Sequence, residues 1–315
     1  MANEGLISVL SDEARLMKTS IDGDIRVQNM NRTVIRNLAR PVKAFGKNKG
    51  STVEIEKYRK LARATSELSE LRSVPTKRPD INFTTVTVKE YGNAVAETRR
   101  AKTLAEYSVD ETLKAILSIN MTESMDFHAG QELKNSDVFY TPTSASAGTF
   151  DRDGTVSTAA AASLTSAHVR DIVSNMKTDN VPRWDGQNYL AILHVFTMQR
   201  IFEDQASGGV VDLHKYEMPQ AIINGEVGIY YGTRFVEENN VFDGTIGGSA
   251  FLGDGVFLGY DALAEALAEP EYTSYEMTDH QRFCSWAWIA LTAFKKVWTF
   301  NTDGQYSIVY LHSNN

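Results

Sequence analysis

The residues of this chain that could do chemistry are few and badly placed for it. Its six histidines, His128, His168, His194, His214, His280 and His312, are scattered, and no two share metal-ligand spacing on one element. With no Cys-x-x-Cys either, a zinc site has no support. Cys284 is the only cysteine, so no internal disulfide is possible. It reads as a small buried hydrophobe in a reducing compartment. Gly253, Gly255 and Gly259 give GxGxxxG, which departs from the dinucleotide fingerprint and has no helix directly behind it. Asp151-Arg152-Asp153-Gly154 begins like a calcium loop but lacks the remaining ligands and the closing Glu, so it reads as a turn. Neither a nucleophile-elbow GxSxG nor a phosphate-cradling GxxxxGK[ST] occurs. His194 closes an apolar run and reads as a core histidine; with Asp204 it marks the one place to look for a hydrolase. The expectation is a protein that is not an enzyme and holds no cofactor or metal.

Charge is distributed unevenly. The net charge is −8, yet Arg26, Arg32, Arg36, Arg40, Lys43, Lys47 and Lys49 follow Asp24 with no acid before Glu54. A basic arm on an acidic body suits two partners: nucleic acid, or an acidic neighbouring subunit. The acidic remainder opposes nucleic-acid binding as the main task, because phosphate contacts would have to overcome that repulsion. No run approaches the ~18 apolar residues of a membrane span. Glu4, Asp12 and Glu13 stand where a secretory signal would be basic or apolar. Residues 3–18 form a short amphipathic helix candidate with Leu6, Leu10, Ala14 and Met17 on one face, better suited to docking on protein than on lipid.

The elements are organised around residues 83–130. Phe83 to Tyr91 alternates at period two with β-branched residues, which predicts a strand closed by Gly92. The period then changes to about 3.6, with Leu104, Tyr107, Leu113, Ile116, Leu117, Met121 and Met125 on one stripe. Neither Pro nor Gly falls between Asn93 and Ala129. The prediction is one helix much longer than the mean of ~11–12 residues, a spine for the rest. Thr52–Tyr58 alternates too, with Val53 and Ile55 on one face, and is the natural hairpin partner of 83–91. Between them Arg59 to Asn82 is charged and broken by Pro75 and Pro79. A loop of that length is either functional or mobile, and a lone two-stranded arm is marginal in water. A neighbouring copy is the surface on which this arm is expected to lie.

After the spine, residues 129–162 have a connector composition rich in Gly, Ser, Thr and Ala. A helix is expected over about 163–177, and a strand buried on both faces over Tyr189–Val195. A helix over 197–204, a hairpin over 225–239 around Gly232, a strand within 251–260 and a short helix over 261–268 follow. Apolar strands over 283–300 and 306–311 end the chain. Strands and helices alternate without regular βαβ spacing, which argues for α+β.

The run Tyr189–Val195, then Val211-Asp212-Leu213-His214-Lys215-Tyr216, and Asn224-Gly225-Glu226-Val227-Gly228 through Gly232-Thr233-Arg234-Phe235-Val236-Glu237, resemble tailed-bacteriophage major capsid proteins, most nearly the N-four-type family. Thr52–Tyr58 and Thr85–Gly92 resemble the two arms of that family's extended loop. The resemblance implies the Hong Kong 97-type capsid fold. Its parts would be an N-terminal arm (1–50), an extended β-hairpin loop (51–92), and a peripheral domain with spine helix (about 97–128) and connector (93–162). An axial domain (163–270) and C-terminal strands returning to the peripheral domain (271–315) complete it. It also implies a coat protein that self-assembles into hexameric and pentameric capsomers of an icosahedral virion shell around double-stranded DNA, made and assembled in the host cytoplasm. Portal, scaffolding or decoration proteins would be its partners, with DNA held non-specifically on the inner face and no membrane. The inter-subunit contacts expected are Arg32, Arg36, Arg40, Lys57, Arg59, Lys60, Arg63, Arg72, Arg99 and Arg100. The alternative is a nucleic-acid packaging protein led by the basic arm.

Overall fold

A computed structural model describes residues 33–42, 50–65, 67–68, 70, 73–74, 76–105, 108–203, 226–242 and 252–314. In chain order it begins with a 3-10 turn over Arg36–Leu38, then strands β1 (Arg40–Pro41), β2 (Thr52–Tyr58), β3 (Ile81–Thr87) and β4 (Lys89–Thr98). Helices α1 (Arg99–Leu104) and α2 (Val109–Lys134) lead to strands β5 (Phe139–Pro142) and β6 (Gly148–Asp151). Helix α3 (Ser166–Thr178), β7 (Tyr189–Leu193) and α4 (Val195–Glu203) come next, then β8 (Glu226–Tyr230), β9 (Thr233–Glu237) and β10 (Leu252–Leu258). Two long strands, β11 (Leu263–Thr278) and β12 (Phe283–Lys296), a short α5 (Phe300–Asp303) and β13 (Ile308–Asn314) complete it.

Three sheets result. A seven-stranded mixed sheet runs β6-β5-β13-β10-β7-β9-β8, a four-stranded sheet runs β1-β11-β12-β4, and β2-β3 stand as a separate antiparallel pair. Alternation along the central strands fixes two cores. Ala191, Leu193, Phe257, Val309 and Leu311 face Val169, Ile172, Val173 and Met176 of α3 and Met198 and Ile201 of α4. Their sequence neighbours Leu190, Ile192, Val256, Leu258, Ile308 and Tyr310 point the other way, onto Leu117, Met125, Ala129 and Leu133 of α2 and Trp288, Ala290 and Phe294 of β12. β7 is buried at every residue because both faces are covered. Each sheet face that buries apolar area needs a cover, and here one cover is helical and the other is α2 with the second sheet.

Several sequence expectations are corrected. Gly92 does not end a strand: β4 runs through it, paired with Ile289, and a Cβ there would stand 2.7 Å from the Trp288 carbonyl oxygen. The spine is not one helix from the nineties. α1 stops at Leu104, Ala105 is extended, and α2 restarts after Ser108 with Asp110 and Glu111 in its first turn. The helix expected over 261–268 does not form: from Leu263 the run is the beginning of β11, because pairing with Leu291–Lys296 overrides the Ala/Leu/Glu propensity. The connector contains a hairpin, β5 with β6. His194 lies past β7, and Val195 already belongs to α4. The hairpin around Gly232 is as expected, with Tyr231 (φ 50°) and Gly232 (φ 77°) both left-handed at its turn. The helix expected over 3–18 lies outside the described residues.

Candidate inter-subunit surface

The β2-β3 hairpin has two unlike faces. Its register pairs Lys57 with Asn82, Ile55 with Thr84 and Val53 with Val86 on one face. That face is turned inward: Val86 is buried against Ala266 and Ala293, with Val53, Ile55 and Val88 packed beside them. Below this thin apolar contact the seat is polar. Lys57, only 4% exposed, reaches the carboxylate of Asp303 and donates to the Val297 carbonyl at 2.9 Å. Asn82 donates its amide to Asp303 Oδ1 at 2.9 Å, Thr84 Oγ1 donates to the Val297 carbonyl at 3.1 Å, and Arg59 Nε donates to the Asp303 carbonyl at 3.0 Å. Burial alone would raise the Asp303 carboxyl. The Lys57 ammonium, the Thr299 N–H and the Asn82 amide outweigh it and hold the group below the ordinary carboxylate range. The hairpin is therefore not homeless in its own chain, as its sequence suggests; its inner face is seated on the turn from Val297 to Gly304.

Among the described residues the outer face has no such cover. Tyr58 (58% exposed), Phe83 (56%) and Ile81 (37%) stand on it, Tyr58 directly opposite Ile81. Tyr58 donates to Glu56 Oε1 at 3.1 Å. Beyond the strands, the described parts of 59–80 are irregular and exposed, and Lys60 and Arg63 project from them.

The expected contact residues that the structure describes divide into three groups. Arg36, Arg40 and Lys57 are engaged within their own chain. Arg36 bridges Glu265 and Glu271, Arg40 pairs with Asp261 at 3.1 Å and lies 4.4 Å from the Tyr260 ring centroid, and Lys57 is sealed against Asp303. Within its own chain Lys57 is an internal anchor, its ammonium buried against the Asp303 carboxylate and the Val297 carbonyl. Arg59 is intermediate: Nε is held by Asp303, while about two-fifths of the side chain stays accessible, 39%. Lys60, Arg63, Arg99 and Arg100 are exposed. Arg32 and Arg72 lie outside the described residues.

Several of the residues first considered for chemistry make structural contacts, and His214 lies outside the described residues. His168 is fully buried as the N3 member of a capping box at α3. Its Nδ1 accepts the Thr165 N–H at 3.1 Å, so Nε2 carries the proton that goes to the Ser144 carbonyl at 2.8 Å. His194 Nδ1 accepts from the Phe196 N–H at 3.3 Å, and Asp204 lies outside the described residues. Asp153 accepts from Thr155 N–H and Oγ1 and Gly154 is left-handed, the geometry of a plain turn. Cys284 is buried. Among the described residues no three His, Cys, Asp or Glu side chains converge as metal ligands, and no helix is long and apolar enough to cross a membrane. Sequence reasoning missed Asp303 altogether. Nothing in the local run Thr299-Phe300-Asn301-Thr302-Asp303-Gly304 points to a partner 246 positions away.

No family model matches this chain, and neither does any curated protein. Solved structures do. The capsid of Ralstonia phage GP4 shares 14% identity and a TM-score of 0.68, over 94% of this chain and 95% of that one. The capsid structure of the cyanophage P-SCSP1u gives 11% and 0.69 over 96% and 94%, and the acidic stable capsid structure of Helicobacter pylori bacteriophage KHP30 gives 11% and 0.64 over 100% and 99%. The likeness runs over essentially the whole of each chain, so the fold is that of phage capsid proteins, α+β and of the Hong Kong 97 type. Extended hairpin, long helix and mixed sheet are thereby the parts of one known architecture.

Proposed function

We propose that this chain is the major capsid protein of a tailed bacteriophage, assembling through copies of itself into hexamers and pentamers of an icosahedral shell around double-stranded DNA. The observation that carries the reading is the whole-chain capsid fold, with a hairpin that is fixed at its base and bare on its outer face. In this reading 51–92 is the extended loop that lies on a neighbour, 93–162 and 271–315 make the peripheral domain, 163–270 is the axial domain, and 1–50 is an arm. Lys60, Arg63, Arg99 and Arg100 are the basic contacts left exposed for an acidic neighbour. The N-four-type assignment rests on the stretch from Asn224 to Glu237. Portal, scaffolding or decoration proteins and DNA on the inner face are partners of the assembled particle, which places the protein in the virion after assembly in the host cytoplasm. The alternative, a nucleic-acid packaging role, is weakened by Arg36 and Arg40, which are neutralised by acids of their own chain. Electron microscopy of the purified protein across salt and concentration tests the proposal. Closed shells or capsomer sheets are expected; small discrete oligomers under every condition would remove it.

A further inference from the structure

The four-stranded sheet is interrupted part-way along its length. Near the body, β1 pairs with β11 at Ala264 and Glu265, Ala266 and Ala293 lie against the β2-β3 hairpin, and Leu263 and Phe294 belong to the second core. Farther out the ladder loses register twice, between Leu267 and Glu269 and again between Glu269 and Tyr272, so β11 carries two residues more than the stretch of β12 that faces it. Such extra residues leave the ladder locally unpaired and bend the strand that holds them. Pro270 stands within this break, exposed and without an N–H to offer. At the same level β4 has Gly92, paired with Ile289, which on its other side faces Tyr272. Pairing then resumes in register from Tyr272 to Thr278, on residues that are exposed except for Tyr275.

One side chain spans the break. Arg36 Nε and Nη2 donate to Glu265 Oε1 at 3.3 and 3.1 Å on the near side, and Nη1 reaches the carboxylate of Glu271 on the far side, beside the residue at which pairing resumes. The guanidinium and both carboxylates are mostly sheltered from water. Burial alone would raise the Glu271 carboxyl; its bond to Arg36 outweighs this and holds the group below the ordinary carboxylate range. Arg36 is itself fixed from behind. Ile35 is fully buried in the second core, and the Arg36 N–H donates to Asp126 of α2 at 2.9 Å. The far half of the sheet is also tied to α2: Trp286 Nε1 donates to Asp110 at 3.2 Å, and Trp288 Nε1 and the Asn93 amide donate to Asn120 at 3.0 and 3.1 Å. Those ties fix where the sheet rests on the helix. Arg36 acts across the break, from a different segment. We infer that Arg36 clasps the two sides of the break and so sets the angle at which residues 272–289, with β4 from Gly92 onward, leave the body. A planar fork holding two carboxylates of one strand resists bending between them, since a change of angle that separates Glu265 from Glu271 strains one bond or the other. The N-terminal segment is thereby the positioning element of the projecting half of the sheet, a role within the single chain that does not depend on shell formation.

Distances between spin labels read this angle directly. The labels go on Ser274→Cys in β11 and Ser174→Cys in α3, both exposed positions, in the full-length chain with Cys284→Ala, diluted with unlabelled protein. Arg36→Gln, which keeps the backbone N–H on Asp126, is expected to shift and broaden the distance distribution. Glu265→Gln and Glu271→Gln should each do the same. The two together should do no more than either alone, because losing either carboxylate already opens the clasp, whereas two independent ion pairs would give effects that add. Labels on Ser174→Cys and Gln199→Cys of α4, both on the body, are expected to keep their distribution in every variant. The clasp is overturned by an Arg36→Gln distribution that matches the parent chain, by additive effects of Glu265→Gln and Glu271→Gln, or by equal broadening of the body pair.

Discussion

At the scale of residues, the Lys57–Asp303 pair carries the most consequence for its size. Both side chains are removed from water, 3% and 0% exposed, and the remaining valences of the carboxylate are filled by Asn82 and the Thr299 N–H. A buried pair of this kind adds little over a well-packed apolar substitute, but removing one member leaves a stranded charge. Lys57→Met is therefore expected to cost about 3–5 kcal/mol, read as a fall in the denaturant midpoint. Lys57→Met with Asp303→Leu should recover most of it; a double variant as poor as the single would show that geometry, not charge, holds the seat. Because Asp303 is held low on folding, its contribution is present above the unfolded carboxylate value and lost as pH falls through the folded one. The hairpin seat thus weakens in acid, and Asp303→Asn should remove that acid dependence. None of this was legible in the sequence. Lys57 belonged to a run of exposed-looking charges, and the alternation that put it on the face of Val53 and Ile55 was readable without its partner being so.

At the scale of elements, a long-range partner decided two of the points at which local pattern misled, Gly92 and residues 261–268. Gly92 looked like punctuation because glycine usually is. In the fold it is the residue that lets β4 approach the Trp288 carbonyl of β12. Gly92→Ala should then destabilise by about 1–3 kcal/mol through overpacking against backbone, whereas alanine at a true strand end would be neutral or better. Thermal denaturation of the variant separates the two. The break between α1 and α2 was partly visible: Ser108 stands three residues before Glu111, a helix-start pattern, and acids fill the first turn. The unbroken 3.6 period hid it. Residues 261–268 carry helix formers but become strand because β12 is long enough to template them. Periodicity reported burial faithfully in β7 and α3, where one partner surface covers each face. It failed over 261–268, where pairing with β12 and burial of Leu263 and Ala266 override helix-forming residue types.

At the scale of the whole molecule, two things must be reconciled: a hairpin anchored within its own chain, and an outer face that stays exposed and that the proposed assembly would cover with a second copy. Anchoring is what makes the second useful. A limb free to swing would lose orientational entropy at every contact it made, while one fixed at its base presents Tyr58, Ile81 and Phe83 already in place. Shells are built from many weak contacts repeated by symmetry, so each must stay weak enough to reverse during assembly, and their sum is large because every subunit makes the same ones. A loss of ~1.4 kcal/mol at one contact is tenfold in that contact's equilibrium, and repetition multiplies the effect on the closed shell. Tyr58→Ser with Phe83→Ser should accordingly leave the folded chain within about 0.5 kcal/mol of wild type, as exposed substitutions do, while raising the concentration needed for assembly at least tenfold. Sedimentation and denaturant unfolding of the same preparation make the comparison. Shells forming at the wild-type threshold would show that the outer face is not an interface; a stability loss matching the assembly loss would show that it is part of the fold.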